Sequence, residues 1–142
     1  MHIKIIIFCC LTTIILGCTV KEYEGIKIPY SIQIREDFLD RKVRNVIKSS
    51  LKYEQNALKD FIKLTDKVDG ESSYDLGFVL TQIINRIGEQ KFIELTKNLN
   101  SAERKLLKNY IEVGLEYGDN NHDGEVDNER IENVYKKINE IL

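Results

Sequence analysis

Apolar residues along most of this chain recur at spacings of three and four, the period of a helix with one buried face. From residue 36 the first stripe runs through Leu39, Val43, Val46, Ile47, Leu51, Leu58, Phe61 and Ile62. It predicts one long helix, interrupted by the polar pair Glu54-Gln55 and ended by Asp69-Gly70. Ser72 with Asp75 has the spacing of a capping box and opens a second stripe: Leu76, Val79, Leu80, Ile83, Ile84 and Ile87, closed by Gly88. A short apolar piece around Phe92, Ile93 and Leu95 follows. Asn100 with Glu103 caps the next stripe, of Leu106, Leu107, Tyr110, Ile111 and Leu115, and Gly118 stops it. Ile131, Val134, Tyr135, Ile138, Ile141 and Leu142 form the last. Five stripes within residues 36–142 predict an all-α fold, a small bundle of four to five helices sharing one core.

The pattern changes upstream. Ile26, Ile28, Tyr30, Ile32 and Ile34 alternate with other residues, the period of an extended strand, around the single proline, Pro29. Nothing later repeats that alternation, so no sheet partner is expected. Residues 18–35 therefore read as an extended tether whose second half lies along the helices, with an edge strand for a partner protein as the alternative.

The first residues carry Lys4 and then run apolar from Ile5 to Leu16, too short for the roughly 20 residues a spanning helix needs. A charged start, a short apolar core and small residues after it describe a signal peptide over residues 1–17. Ile15-Leu16-Gly17-Cys18 resembles the bacterial lipobox, which implies that Cys18 takes a thioether-linked diacylglycerol and begins the mature chain. Two or more acyl chains anchor a protein stably to a bilayer surface, where one does so only marginally. Cys9 and Cys10 leave with the signal, so no cysteine remains for a disulfide, a thiolate nucleophile or a zinc site. The mature 125 residues are enough for one domain with its own core. They hold 20 basic against 23 acidic side chains, without the bias that nucleic-acid binding needs.

Candidate chemistry is confined to residues 119–130, DNNHDGEVDNER. With Gly124 at the glycine position of a 12-residue calcium loop, Asp119, Asn121 and Asp123 occupy positions 1, 3 and 5. Glu125 offers its backbone carbonyl at position 7, and Asp127 binds directly or through water at position 9. Such loops gather the six to eight oxygens that calcium takes. The stretch resembles an EF-hand or dockerin-like loop, with Val126 as its apolar core contact and predicted helices on both sides. It departs at position 12, where Arg130 replaces the bidentate glutamate, and Glu129 sits one residue early. The only candidate partner loop, residues 64–75, has Lys67 in a ligand position. Calcium affinity is then expected at the weak end of the range, ~10⁻⁴–10⁻³ M. The competing reading is a polar turn: Asp, Asn and Gly are the usual turn formers, and Asp127 or Asn128 would cap the last helix without metal.

No glycine-rich phosphate cradle, HExxH or GxSxG occurs, and His122, the one histidine of the mature chain, falls at an exposed loop position. The expectation is a protein that is not an enzyme. Abundant Ile, Lys and Asn, a lipobox, a tether and a small helical domain together make the chain resemble the small plasmid-encoded surface lipoproteins of Borrelia spirochaetes. That resemblance implies an outer-membrane, surface-exposed protein that binds a host or envelope partner; a periplasmic scaffold is the alternative. Thr19 after the lipidated cysteine leans toward the outer membrane, since it is not the aspartate that retains enteric lipoproteins on the inner one.

Overall fold

The computed structural model describes residues 21–142, the side chains of Glu36 and Asp37 apart; the signal peptide and Cys18 lie outside the described residues. Two short strands, β1 (Lys21–Tyr23) and β2 (Ile26–Ile28), precede eight helices. These are α1 (Tyr30–Gln33), α2 (Arg41–Leu51), α3 (Ala57–Thr65), α4 (Gly70–Ile87), α5 (Glu89–Leu95), α6 (Ser101–Tyr117), α7 (Ile131–Val134) and α8 (Lys136–Ile141). A π-helical turn at Glu36–Asp40 leads into α2, and a 3₁₀ turn at Thr96–Asn98 follows α5. The fold is thus mostly helical, and the expected four to five helices are exceeded.

Beyond the five stripes, α1 lies in the segment read as extended. Two more helices come from splitting the first stripe, at the interruption expected at Glu54-Gln55, and the last, where the spacing gives no sign of a break. The first stripe divides after α2, where Tyr53 adopts φ +59° and Glu54 N–H turns back to the carbonyl of Ser49. The last stripe divides at Tyr135, whose backbone leaves helical geometry at φ −121° and ψ 67°. There Ile138 N–H, an unpaired donor at the start of α8, is taken up by the Glu89 carboxylate at 3.1 Å.

α4 and α6 form the centre. Gly77 and Gly114 face each other so closely that a Cβ on Gly77 would stand 2.6 Å from the Tyr110 carbonyl oxygen, and one on Gly114 would run into Gly77's own carbonyl. Leu76, Leu80, Ile83, Leu107, Ile111 and Leu115 are fully buried in the core around this contact. Phe61 of α3 packs edge-on against Tyr110, ring centroids 5.7 Å apart.

Helix ends follow their local chemistry in part. Asn100 Oδ1 accepts from Glu103 N–H and Glu103 returns the bond to Asn100 N–H, a reciprocal capping box. Gly88, at φ +81°, ends α4 in a conformation that disfavours side chains with a Cβ. The expected box at Ser72 and Asp75 does not form. α4 begins earlier, at Gly70; Ser72 is buried, and Asp75 accepts a hydrogen bond from Ser31 instead.

The alternating segment departs most from expectation. Glu24 (φ +54°) and Gly25 (φ +79°) make a two-residue turn that folds β2 back on β1, pairing Tyr23 with Ile26 and Lys21 with Ile28. Residues 21–35 are therefore not an extended tether: Ile26, Ile28 and Ile32 belong to the core. The outer edge of β2 is not left open. Lys27 N–H donates to Gln82 Oε1 at 2.8 Å, and Gln82 Nε2 donates to the Lys27 carbonyl at 3.0 Å. One side-chain amide of α4 thus does for Lys27 what a neighbouring strand would do. Among the described residues no helix is long and apolar enough to cross a membrane.

Candidate functional site

The acidic loop joins α6 to α7, and its conformation comes from hydrogen bonds internal to the chain. Gly118 ends α6, after which Asp127, Asn128 and Glu129 donate their N–H groups to the carbonyls of Gly118, Glu116 and Leu115 at 3.0, 3.2 and 3.0 Å. The returning segment thereby satisfies carbonyls that the end of a helix leaves without partners. Asn120 binds the loop to the bundle: its Nδ2 donates to the Gly114 carbonyl at 3.0 Å, and its Oδ1 accepts from Thr81 Oγ1 at 2.6 Å.

The first half of the loop is built from two side-chain turns. Asn121 Oδ1 accepts from Asp123 N–H and Asp123 Oδ1 from Glu125 N–H, each at 2.9 Å, two successive turns closed by side chains. His122 and Gly124 lie in the left-handed region at φ +63° and +94°. Asp119 Oδ1 is buried and accepts no hydrogen bond, an uncompensated carboxylate oxygen at position 1.

The second half is laid out differently. The Asp127 carboxylate accepts from Asn120 N–H across the loop, and Arg130 precedes the first residue of α7 with extended backbone. Neither Asp127 nor Asn128 caps that helix; Arg130 occupies the position, with no side-chain bond. Val126, the expected core contact, is exposed. Among the described residues, no three His, Cys, Asp or Glu side chains come close enough together to hold a metal ion. The carboxylates of Asp119, Asp123 and Asp127 therefore do not gather around one point.

Two tyrosines bound this end of the bundle. Tyr117, exposed and 4.9 Å from Tyr74 between ring centroids, has its hydroxyl pKa raised by a hydrogen bond to Glu116 and by that carboxylate's charge. Tyr135 is buried, which raises its pKa well above the ordinary phenol value, and its hydroxyl donates to Asn85 Oδ1 and lies 3.3 Å from the Thr81 carbonyl. Both fit structural roles: one is solvated, and the other is a satisfied donor in the core.

A second feature was not visible in the sequence. A groove of about 570 Å³ lies between α2 and α3, with five lysines among its lining residues. Read along either helix, those lysines are an ordinary solvated face; only the packing of α2 on α3 turns two faces into one concave surface. No family model, curated protein or solved structure matches the chain.

Proposed function

We propose that the protein is a lipid-anchored, non-enzymatic interaction protein of a bacterial envelope, held to the outer membrane through Cys18 and presenting its helical domain to a host or envelope partner at the cell surface. The observation that carries this reading is the lipobox Ile15-Leu16-Gly17-Cys18 behind a short apolar signal. The helical domain described from Lys21 onward fits it, because a lipid alone is enough to hold such a domain at a bilayer surface. Labelling cells with radioactive palmitate tests the anchor: the label enters the wild-type protein and is lost in Cys18→Ala. Protease treatment of intact cells tests the surface. Digestion is expected there, and resistance that disappears only on breaking the outer membrane would place the domain in the periplasm.

A second reading rests on one observation, the buried and unpartnered Asp119 Oδ1 at the head of two side-chain turns. On it, the loop binds calcium weakly, in the ~10⁻⁴–10⁻³ M range, through Asp119, Asn121, Asp123 and the Glu125 carbonyl, with Asp127 contributing only after releasing Asn120. Calorimetric titration of the mature chain is expected to show weak binding that Asp123→Ala abolishes and Arg130→Glu strengthens. Heat and melting temperature both indifferent to millimolar calcium would reduce the loop to a hydrogen-bonded turn.

A further inference from the structure

Charge is unevenly spread over this acidic chain. Residues 41–67 hold eight Lys or Arg against three Asp or Glu, net +5, while the remainder holds 13 against 20, net −7. The packing of α2 against α3 concentrates the positive part. Lys42, Lys48 and Lys52 come from α2 and its C-cap, and Lys63 and Lys67 from α3 and just beyond it; only Glu54 and Asp60 among the lining residues oppose them. Lys63 pairs with Asp60 at 2.7 Å. Among the described residues, Lys42, Lys48, Lys52 and Lys67 have no carboxylate within ion-pair distance, and Lys42 lies over the ring of Phe38 at 5.6 Å.

The bottom of the groove is different in kind. Val46 and Leu64 line it as buried core residues, at 3 and 4 % exposure, so Phe38, half-exposed at one end, offers most of the open apolar side-chain surface. Asn45 and Ser49 add polar groups to the α2 wall. An apolar floor beneath a cationic rim, in a volume within the usual 300–1,000 Å³ of ligand sites, selects a molecule with two parts. The anionic group satisfies lysines that the protein leaves unpaired, and the apolar part covers Phe38, Val46 and Leu64. A flat bilayer would meet the rim and miss the floor, and a purely polar polyanion would leave the floor unused.

We propose that the α2–α3 groove is a binding site for a single amphiphilic anion, an aliphatic or aromatic body carrying a phosphate, sulfate or carboxylate. The site deepens the interaction reading by giving the partner a chemistry, but it does not depend on where the protein is anchored. Its failure would be read in a titration, and the failure of the anchor in labelling and protease experiments.

The test titrates octyl phosphate, below its micelle concentration, into the mature chain, beside octyl glucoside and inorganic phosphate. Saturable binding of one octyl phosphate per chain is expected, stronger than that of either control compound. Removing three cations that each contribute a typical exposed-pair energy should weaken it roughly tenfold, so Lys42→Gln/Lys48→Gln/Lys52→Gln should lose that much. Lys63→Gln/Lys67→Gln, on the other wall, should lose part of it, and Lys105→Gln/Lys137→Gln, outside the groove, should lose none. All the substituted lysines are exposed, so circular dichroism should show folded variants. No saturation by octyl phosphate, equal binding of octyl glucoside, or affinity unchanged in both groove variants would overturn the site. Binding only to phosphatidylglycerol vesicles, with none of monomeric octyl phosphate, would also overturn it, because that is attraction of surface charge without use of the floor.

Discussion

At the scale of single residues, the polar contacts of this protein follow which groups lose water on folding. Asp75 is the clearest case. Burial raises its pKa and the hydrogen bond from Ser31 lowers it, with burial the larger effect and nearby Glu71 adding to it. An acid whose folded-state pKa lies above its unfolded value stabilises the fold below the unfolded pKa and loses that contribution as pH rises through the folded one. Ionised Asp75 is therefore a cost at neutral pH. Asp75→Asn keeps an acceptor for Ser31 and carries no charge, so the gap in melting temperature between variant and wild type should change between pH 3.5 and pH 7. The difference should favour the variant at the upper end. Parallel thermal melts across that range check it, and a variant less stable at pH 7 than at pH 3.5, relative to wild type, would refute the assignment.

At the scale of elements, what was readable in the sequence depended on whether the signal was local. The Asn100–Glu103 box and the glycine stops at Gly88 and Gly118 are set by residues within a turn of each other, and each lies where expected. Helical stripes showed which residues are inside, and the polar pair Glu54-Gln55 marked the break beside Tyr53, but the break at Tyr135 changes the backbone without disturbing apolar spacing. The hairpin was hidden for a related reason. Lys21, Glu22 and Tyr23 carry no alternation of apolar residues, and the outer edge of β2 is completed by a glutamine from α4, 55 positions away. In the acidic loop, the turn-forming composition was legible, while the bonds of Asn121 to Asp123, of Asp123 to Glu125 and of Asp127 to Asn120 were not.

Two predictions belong to this scale. Gln82→Ala leaves the outward N–H and C=O of Lys27 without their partner, at a cost of about 1–3 kcal/mol if water does not replace it. Hydrogen exchange at Lys27 should accelerate relative to the α4 amides; equal protection in the two proteins would mean that the clamp holds nothing. Gly114→Ala pushes a methyl group into the Gly77 backbone, which cannot swing away as a side chain can. Overpacking of this kind costs roughly 1–3 kcal/mol or more, so the melting temperature should fall by about 5–15 °C. Gly25→Ala serves as a comparison: nothing lies within 4 Å of its added Cβ, and only its positive φ opposes the change, so it should destabilise less.

At the scale of the molecule, the decisive question is whether residues 21–35 are a spacer or part of the domain. The alternating isoleucines read as a tether whose second half lies along the helices, and the structure goes further, burying Ile26, Ile28 and Ile32 at 2 % exposure or less. Each such side chain contributes roughly 1.5–3 kcal/mol when removed from water. Three of them amount to a large part of the ~5–15 kcal/mol by which domains of this size are stable. Gln33 adds a further tie through its side-chain bond to the Ile28 carbonyl, and Ser31 another through Asp75. A chain beginning at residue 36 should therefore lack a cooperative thermal transition near that of a chain beginning at residue 19, and it should expose its core to a hydrophobic dye. Inserting a flexible glycine-serine linker before Lys21 tests the other side of the argument. If the fold begins at β1, that insertion lengthens the reach from Cys18 and leaves the melting temperature unchanged. Were the shortened chain to melt within a few degrees of the longer one, the hairpin would be a dispensable attachment, and the core would have to close over α4 without the cover of β2.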